Sequence, residues 1–511
     1  MRLSRIWIPF SALAAIALSR ILFRSHLLYD VDSVNFALGM GRFDPSVHQP
    51  HPPGYFLYIW LARFAGMLTS DRNTALVAIS IAASCAAAWM IHELTREWFG
   101  PGAARASLLL FLISPLGWFH GTVALTYMPE AFFSASIGLF CWRVYTGRAN
   151  WALPAAALFA LAAGFRPSIA LLLGPLFLFS IWRAGPSRRW LAFVTGLAVG
   201  LCWFVPMVES SGGFSRYFEA LSQLWFTVPG KQSTWASPWL GFARILTIAW
   251  ILTLCFGVAG ALVLVAQIRP DPLVAARRRF TWLWLTPGLL FFTMVFLLFV
   301  NAGYLLVLTP PLFAVLATRA HQFLTSPNRR GLRWAAAVCG IGINCLIFLR
   351  APLYCTYRSV HELERDLASG RHALETAVNP ATTLIVGFDS HFLGFRHAGY
   401  YLPQFVTLQY PEIGYQDGKR AFVMKDRDTR ALARIPTGGL RNLVFFPLPP
   451  GEPYDAYLKG VLSKLPPGTV RTVTSEGREL VIAPIADLPF LFPATARGPL
   501  EPTPAGNWRP N

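Results

Sequence analysis

The sequence predicts a mainly α-helical, polytopic membrane protein: a bundle of about eleven spans followed by a small extracytoplasmic α/β domain. Three observations carry that prediction. Of 511 residues, 54% are hydrophobic and 14% charged, with a mean hydropathy of +0.46, whereas a soluble chain carries about 25% charged residues. Apolar runs of spanning character recur from residue 6 to residue 350. Past Arg350 they stop, and shorter segments of mixed polarity take over.

A helix needs about 20 residues to cross about 30 Å of hydrocarbon. Runs near that length fall at 6–24, 74–92, 106–121, 128–146, 152–165, 168–183, 190–208, 242–266, 281–300, 303–318 and 334–350. The first follows Arg2 and Arg5, contains Arg20 and ends at Arg24 without a small-x-small cleavage site. It is expected to be an uncleaved transmembrane helix rather than a signal peptide.

The formal net charge is +19, and most of the basic residues lie in short loops. With the N-terminus in the cytoplasm, the inside loops collect Arg96/Arg105, Arg143/Arg148, Arg183/Arg188/Arg189, Arg269/Arg277/Arg278/Arg279 and Arg319/Arg329/Arg330/Arg333, while the opposite loops hold few. Charge so placed points to anionic membrane lipid as the partner. Nucleic acid is not expected, and no motif for it is present. The expected location is the cell (inner or plasma) membrane, with the C-terminal domain extracytoplasmic.

Six of the seven cysteines lie in apolar spans and Cys355 lies just beyond one, so neither a disulfide framework nor a metal-ligand spacing is expected. Two outward loops are long. The first, 25–73, holds an apolar patch from Tyr55 to Met67 that is too short to span and suits an amphipathic helix in the membrane interface. The second, 209–241, carries Lys231 and a dense set of aromatics such as Phe214, Tyr217 and Trp225. These suit the headgroup level or stacking on sugar faces. Residues 1–350 are therefore expected to form the transmembrane module and 351–486 a small α/β domain. That domain is expected to hold a helix at 358–377, a helix-like pattern at 454–465, and strands near 383–388, 405–409, 421–424, 443–446, 469–473 and 480–482. The Pro- and Gly-rich tail 487–511 is expected to be disordered.

Chemistry is sought first in Tyr29–Tyr58, which concentrates polar groups beside a membrane span. Asp30 and Asp32 stand two apart. As carboxylates they suit general-base work on a hydroxyl or binding of a divalent cation, or they are ordinary residues of a solvated loop. His48 and His51 suit phosphate, a metal or turn capping, and Pro52-Pro53-Gly54 sets a rigid turn ahead of Tyr55. Arg166 sits in an apolar hairpin, where a guanidinium must snorkel or meet an anion such as a lipid phosphate. Lys231 is a second candidate cation for that phosphate. Glu130, at the outward end of the fourth span, is a membrane-edge carboxylate and a candidate for substrate binding. Asp389 and His391 suit a second site, although a helix N-cap by Asp389 or Ser390 accounts for them equally.

These features together resemble the GT-C superfamily of polyprenyl-phosphate-dependent glycosyltransferases, and within it the branch of protein O-mannosyltransferases and lipid A aminoarabinose transferases. The branch has an Asp-Glu-Ala-x-Tyr motif after the first helix and a His-Pro-Pro-x-Tyr segment beyond it. The matching residues are Asp32-Ser33-Val34-Asn35-Phe36 and His51-Pro52-Pro53-Gly54-Tyr55. Ser33 departs from the acidic pattern, and alignment on the aromatic favours Asp32 over Asp30. The branch's Thr-Lys-Gly-Pro segment looks like Gly164-Phe165-Arg166-Pro167. The likeness covers roughly residues 1–210.

The resemblance implies a polyprenyl-monophosphate sugar donor held through its phosphate by Arg166 and Lys231. Asp32 would activate a hydroxyl acceptor on a protein, lipid or glycan, and the anomeric configuration would invert. His48, His51, Tyr55 and Glu130 are expected to contact substrate. The branch works without a metal, so no metal ligand is assigned, although the aspartate pair leaves a divalent cation open as cofactor. Two other classes fit a polytopic chain: a transporter or flippase of lipid-linked saccharides, and a non-catalytic membrane scaffold. A transporter has no need of paired carboxylates in an outward loop, and no Gly/Pro-broken spans in matching halves are visible. A scaffold would tolerate loss of Asp32.

Overall fold

The structure, a computed structural model, describes residues 4–227, 233–235, 237–265, 275–327, 329–410, 412–416, 419–423, 425–430, 432, 438–446, 463, 470–475 and 478–485. Its helices are α1 (Ser4–Leu22), α2 (Val31–Gly41), α3 (Phe56–Gly66), α4 (Arg72–Phe99), α5 (Pro101–Leu112), α6 (Pro115–His120), α7 (Tyr127–Tyr145), α8 (Ala152–Phe165), α9 (Ser168–Ile181), α10 (Pro186–Ser210), α11 (Phe214–Thr227), α12 (Trp239–Val265), α13 (Ala275–Met294), α14 (Thr309–Thr325), α15 (Arg330–Arg350), α16 (Tyr357–Ala377) and α17 (Phe395–Tyr401). A 3-10 segment, Ala302–Leu308, leads into α14. The chain divides into two compact units: Met1–His26 with Phe43–Ser46 and Pro52–Val360, and Leu27–Arg42 with Val47–His51 and His361–Asn511.

In the first unit a helix stands at every one of the eleven apolar runs. Among the described residues, five helical segments are long and apolar enough to cross a membrane: Arg72–Phe99, Pro186–Ser210, Trp239–Val258, Ala302–Thr325 and Arg330–Arg350. The Asp71 carboxylate caps α4 by accepting from the Asn73 and Thr74 amides. The buried face of α4 is rich in small residues, among them Ala75, Ser80, Ser84, Ala87 and Ala88. Small faces let helix backbones approach closely where lipid supplies no hydrophobic drive. Gly138 of α7 does the same for α13, since a Cβ there would run into the ring of buried Trp284.

Two apolar runs that read as unbroken are not. The run at 106–121 splits into α5 and α6 at Ile113–Ser114, where Pro115 withholds an amide and the Ser114 Oγ caps α6 from the Gly117 amide at 3.1 Å. The run at 242–266 breaks at Gly257, whose φ of 61° lies in the left-handed region. A helix break in an apolar bundle frees carbonyls that must find donors. Arg20, fully buried on α1, donates to the Leu112 and Phe111 carbonyls at 3.1 and 3.2 Å. Its positive charge meets the negative end of α5. Asn344 of α15 donates to the carbonyls of Ile113 and Phe256 at 3.2 and 3.1 Å, serving both breaks with one amide.

The second unit carries a five-stranded mixed sheet in the order β2-β1-β5-β7-β6. Its strands are β1 (Thr383–Gly387), β2 (Val406–Gln409), β5 (Asn442–Phe445), β6 (Arg471–Ser475) and β7 (Arg478–Pro484), while β3 (Glu412–Gln416) and β4 (Lys419–Val423) form a separate hairpin. β1 pairs in parallel with β2 and β5, and every residue of it is buried, as a central parallel strand requires. Leu384, Val386, Leu408, Leu443 and Phe445 form the core. The expected helix at 358–377 and the expected strands are present within a few residues, and β3 was not anticipated. The helix-like pattern at 454–465 falls, apart from residue 463, outside the described residues, as does the tail 487–511.

Within loop 25–73, α3 occupies the anticipated apolar patch. α2 was read as loop, yet Asp30 supplies a helix start. The backbone of Asp30 is extended at φ −110° and its carboxylate accepts from the Asp32 amide at 2.8 Å. The α2 segment is tied to the rest of its unit through main-chain donors. Leu27 gives its amide to Glu364 Oε1 (3.1 Å), Leu28 to the Tyr401 hydroxyl (2.8 Å) and Val31 to the His391 carbonyl (2.7 Å).

Candidate active site

The sequence candidates fall into two constellations, one in each unit. In the C-terminal unit, the Asp32 carboxylate stands in the first turn of α2, with Oδ1 3.3 Å from His51 Nδ1. The Asp32 side chain is 27% exposed, so it is reachable by substrate while oriented by the imidazole. Phe36, one turn along α2, lies 5.9 Å from the His51 ring. Asp30 is different in kind. It is buried, its carboxylate is the N-cap of α2, and burial followed by the nearby Asp32 charge pushes its pKa well above the usual carboxylate range. With its carboxylate engaged by the Asp32 amide, Asp30 is committed to the backbone of the helix start. Among the described residues no group of three or more His, Cys, Asp or Glu side chains is gathered for a metal.

The segment 48–55 carries its side chains on a strained backbone. His48 and Tyr55 have φ of 56° and 48°, and Gly54 between them 109°. A non-glycine residue in that region costs about 1–3 kcal/mol and persists where surrounding structure over-determines it. His48 is half-buried, and desolvation followed by the charges of His51, Arg396 and Lys425 lowers its pKa to about 3. That shift favours the uncharged imidazole at neutral pH. A Cβ on Gly54 would press on the Phe43 ring and the Met207 sulfur.

Two groups that hold residues 48 and 49, Arg396 and Asp428, carry no local sign in the sequence. Arg396 of α17 is buried and donates to the Asn35 Oδ1 through Nε (3.0 Å) and Nη2 (2.7 Å), and to the His48 carbonyl at 2.9 Å. It also donates to the Arg427 carbonyl. Gln49 gives its Nε2 to Asp428 Oδ1 at 3.0 Å. Asp389 and His391 are exposed, and neither Asp389 nor Ser390 caps a helix, because α17 begins five residues later with Gly394 at its N-cap.

In the transmembrane unit, Arg166 ends α8 and is only 6% exposed. Its Nε lies 3.2 Å from Glu130 Oε2 and 3.3 Å from Ser168 Oγ, and its Nη1 donates to Thr126 Oγ1 at 2.7 Å. Tyr127, Tyr304 and Tyr55 surround the guanidinium, with ring centres 4.5, 5.2 and 5.9 Å from its central carbon. Sequence reading singled out Arg166, Glu130 and Tyr55, which are indeed together. Tyr127, Tyr304 and Thr126 were missed. Gly303 packs so tightly on Tyr127 and His120 that no side chain fits there. Lys231, the second expected phosphate ligand, lies outside the described residues.

The structure of ArnT from Cupriavidus metallidurans in the apo state superposes with a TM-score of 0.53 at 15% identity, covering 93% of this chain and 97% of that one. Residues 50–209 match the family described as dolichyl-phosphate-mannose-protein mannosyltransferase. This chain shares its fold with that ArnT structure. An oligosaccharyltransferase from Archaeoglobus fulgidus, solved with a tethered acceptor peptide, aligns at 14% identity and a TM-score of 0.40, covering 78% of this chain and 63% of that one. No curated protein matches the sequence. Five helical segments long and apolar enough to cross a membrane, among the described residues, fit a multi-pass membrane protein. Tyr55, Glu130 and Arg166 fall inside the family-matched stretch, whereas Asp30, Asp32 and His48 precede it.

Proposed function

We propose that this protein is an integral-membrane glycosyltransferase of the GT-C kind that moves a sugar from a polyprenyl-monophosphate carrier to a hydroxyl acceptor on the extracytoplasmic side. The observation that carries the reading is the Asp32–His51 pair: an accessible carboxylate oriented by a histidine, on the two segments that resemble the superfamily's acidic and His-Pro-Pro motifs.

In the proposed reaction the acceptor hydroxyl attacks the anomeric carbon as the bond from that carbon to the phosphate oxygen breaks. Asp32 takes the hydroxyl proton, and the sugar leaves with inverted configuration because attack is in line with departure. The carrier enters as a phosphodiester with one negative charge and departs as a monoester gaining a second. A cation at the phosphate therefore binds the transition state better than the ground state, which is what catalysis requires.

Arg166 is assigned that role, with its planar fork suited to phosphate. Glu130, Thr126 and Ser168 fix the guanidinium before substrate arrives, and the three tyrosines shield it from water. Tyr55 and Glu130 border the donor phosphate, and His51 orients the base. No step requires a metal or a nucleotide.

The test is turnover by membranes containing the full chain, offered a panel of radiolabelled polyprenyl-phosphate sugars with hydroxyl-bearing protein, lipid and glycan acceptors. Release of polyprenyl phosphate coupled to a new glycoside of opposite anomeric configuration supports the reading. Movement of labelled lipid across the bilayer with no bond made would replace it with a transporter.

A further inference from the structure

We propose that Arg396, on the C-terminal unit's α17, is a positioning residue for the Asp32–His51 pair. The inference rests on the reading of Asp32 as the base and assigns the C-terminal domain a part in it.

The two members of the pair are carried by different pieces of chain. Asp32 rides on α2, and His51 ends the segment 47–51. One guanidinium grips both. On the α2 side it places two N–H groups on the single Oδ1 of Asn35, which is buried and stands three residues beyond Asp32 on the same helix. Residues three apart on a helix are surface neighbours, so a shift at Asn35 is a shift at Asp32. On the other side its Nη2 holds the carbonyl of His48, three residues before His51. His48 is in the left-handed region, a conformation that the chain alone does not favour.

Two further contacts keep the clamp in register. Gly39 of α2 has the Pro50 ring where a Cβ would stand, which locks helix and segment face to face. The turn 426–430 presents the Arg427 carbonyl to the guanidinium and the Asp428 carboxylate to Gln49. That turn is closed by Asp426, whose Oδ1 accepts the amides of both Asp428 and Arg430 at 2.9 Å. Arginine is needed because its fork reaches three acceptors in divergent directions; lysine donates from a single nitrogen.

The experiment is a double-mutant cycle in membranes holding the full chain, reading kcat and donor KM with whichever polyprenyl-phosphate sugar the wild type consumes. The variants are Arg396→Lys, Asp32→Asn and the two combined. Arg396→Lys is expected to lower kcat about 100-fold, the usual consequence of misplacing a reacting group by an ångström, with donor KM unchanged. Added to Asp32→Asn, the same change is expected to have no further effect, since the group it positions is already gone. Asn35→Ala, which removes the clamp's acceptor and leaves Arg396 in place, is expected to reproduce the kcat loss at wild-type protein level.

Equal losses in the wild-type and Asp32→Asn backgrounds overturn the proposal and leave Asp32 as base, because Arg396 then acts on folding or on something other than the pair. An unchanged kcat in Arg396→Lys overturns it likewise. Full activity in Asp32→Asn overturns both the positioning role and the base on which it rests.

Discussion

Arg166 Nε and Glu130 Oε2 meet at 3.2 Å, with both residues almost wholly removed from solvent. An ion pair buried so deeply is weak evidence for stability, since desolvation offsets most of its attraction. On the proposed function, its place inside a ring of tyrosines suits an anion that replaces or joins the carboxylate. Removing Arg166 alone is the harsher change, because it strands Glu130. Arg166→Ala is expected to abolish transfer and to destabilise the protein by about 3–5 kcal/mol. Arg166→Lys is expected to keep the fold while raising donor KM. Thermal unfolding in detergent, run beside the transfer assay, checks both.

Asp30 and Asp32 are expected to separate cleanly. Asparagine caps a helix as well as aspartate does, so Asp30→Asn is expected to leave the rate near that of the wild type. Asp30→Ala is expected to cost about 1 kcal/mol of stability. A pH series adds a second signature. The folded pKa of Asp30 is raised, so between the unfolded value and the folded one the native state holds more protons than the unfolded state. Stability from this group is therefore lost as pH rises through that window. The unfolding midpoint of Asp30→Asn is expected to fall less steeply with pH than that of the wild type.

His48 behaves in the opposite sense. With a folded pKa near 3 against an ordinary 6.5, the unfolded chain takes up the proton first as pH falls. The contribution is fully present above about pH 6.5 and is lost progressively on acidification toward 3. His48→Gly, which also relieves the left-handed backbone, is expected to be the less acid-sensitive protein when midpoints are compared at pH 7 and pH 4.5.

Gly303 supports Tyr127 from behind, and Tyr127 in turn covers Arg166. Gly303→Ala is expected to push Tyr127 toward the guanidinium and raise donor KM with little change in kcat. A fall in kcat at constant KM would show that Tyr127 does not border the donor.

Asn344 offers a test of the fold rather than the chemistry. Asn344→Leu leaves the Ile113 and Phe256 carbonyls without their side-chain donor, at about 1–3 kcal/mol for each buried group left unsatisfied. Loss of thermal stability with unchanged KM is the expected result.

Much of this arrangement was legible in the sequence, and the remainder fails for a common reason. Hydropathy marked every apolar run that became a helix, because lipid exposure writes itself into composition along the chain. The breaks at Ser114 and Gly257 were not visible, because what makes them tolerable is Asn344 and Arg20, donors supplied by other helices. Asp32, His51 and Arg166 stood out locally, as polar groups in apolar surroundings. Arg396 did not, since the residue that gives it meaning, Asn35, lies 361 positions away. Tyr304 was hidden in the same manner, as an ordinary aromatic in an apolar run until it is found facing Arg166. The start of α2 is an exception. Asp30 is a plain capping residue whose carboxylate holds the first turn of the helix, and that signal lies in the local sequence.

The most direct measurement is transfer from a radiolabelled polyprenyl-phosphate sugar by membranes carrying equal amounts of wild type or Asp32→Asn. A turnover lower by about 100- to 10,000-fold in the variant, the range for loss of a general base, with donor binding retained, is the expected result. Undiminished transfer by Asp32→Asn would contradict the account at its centre.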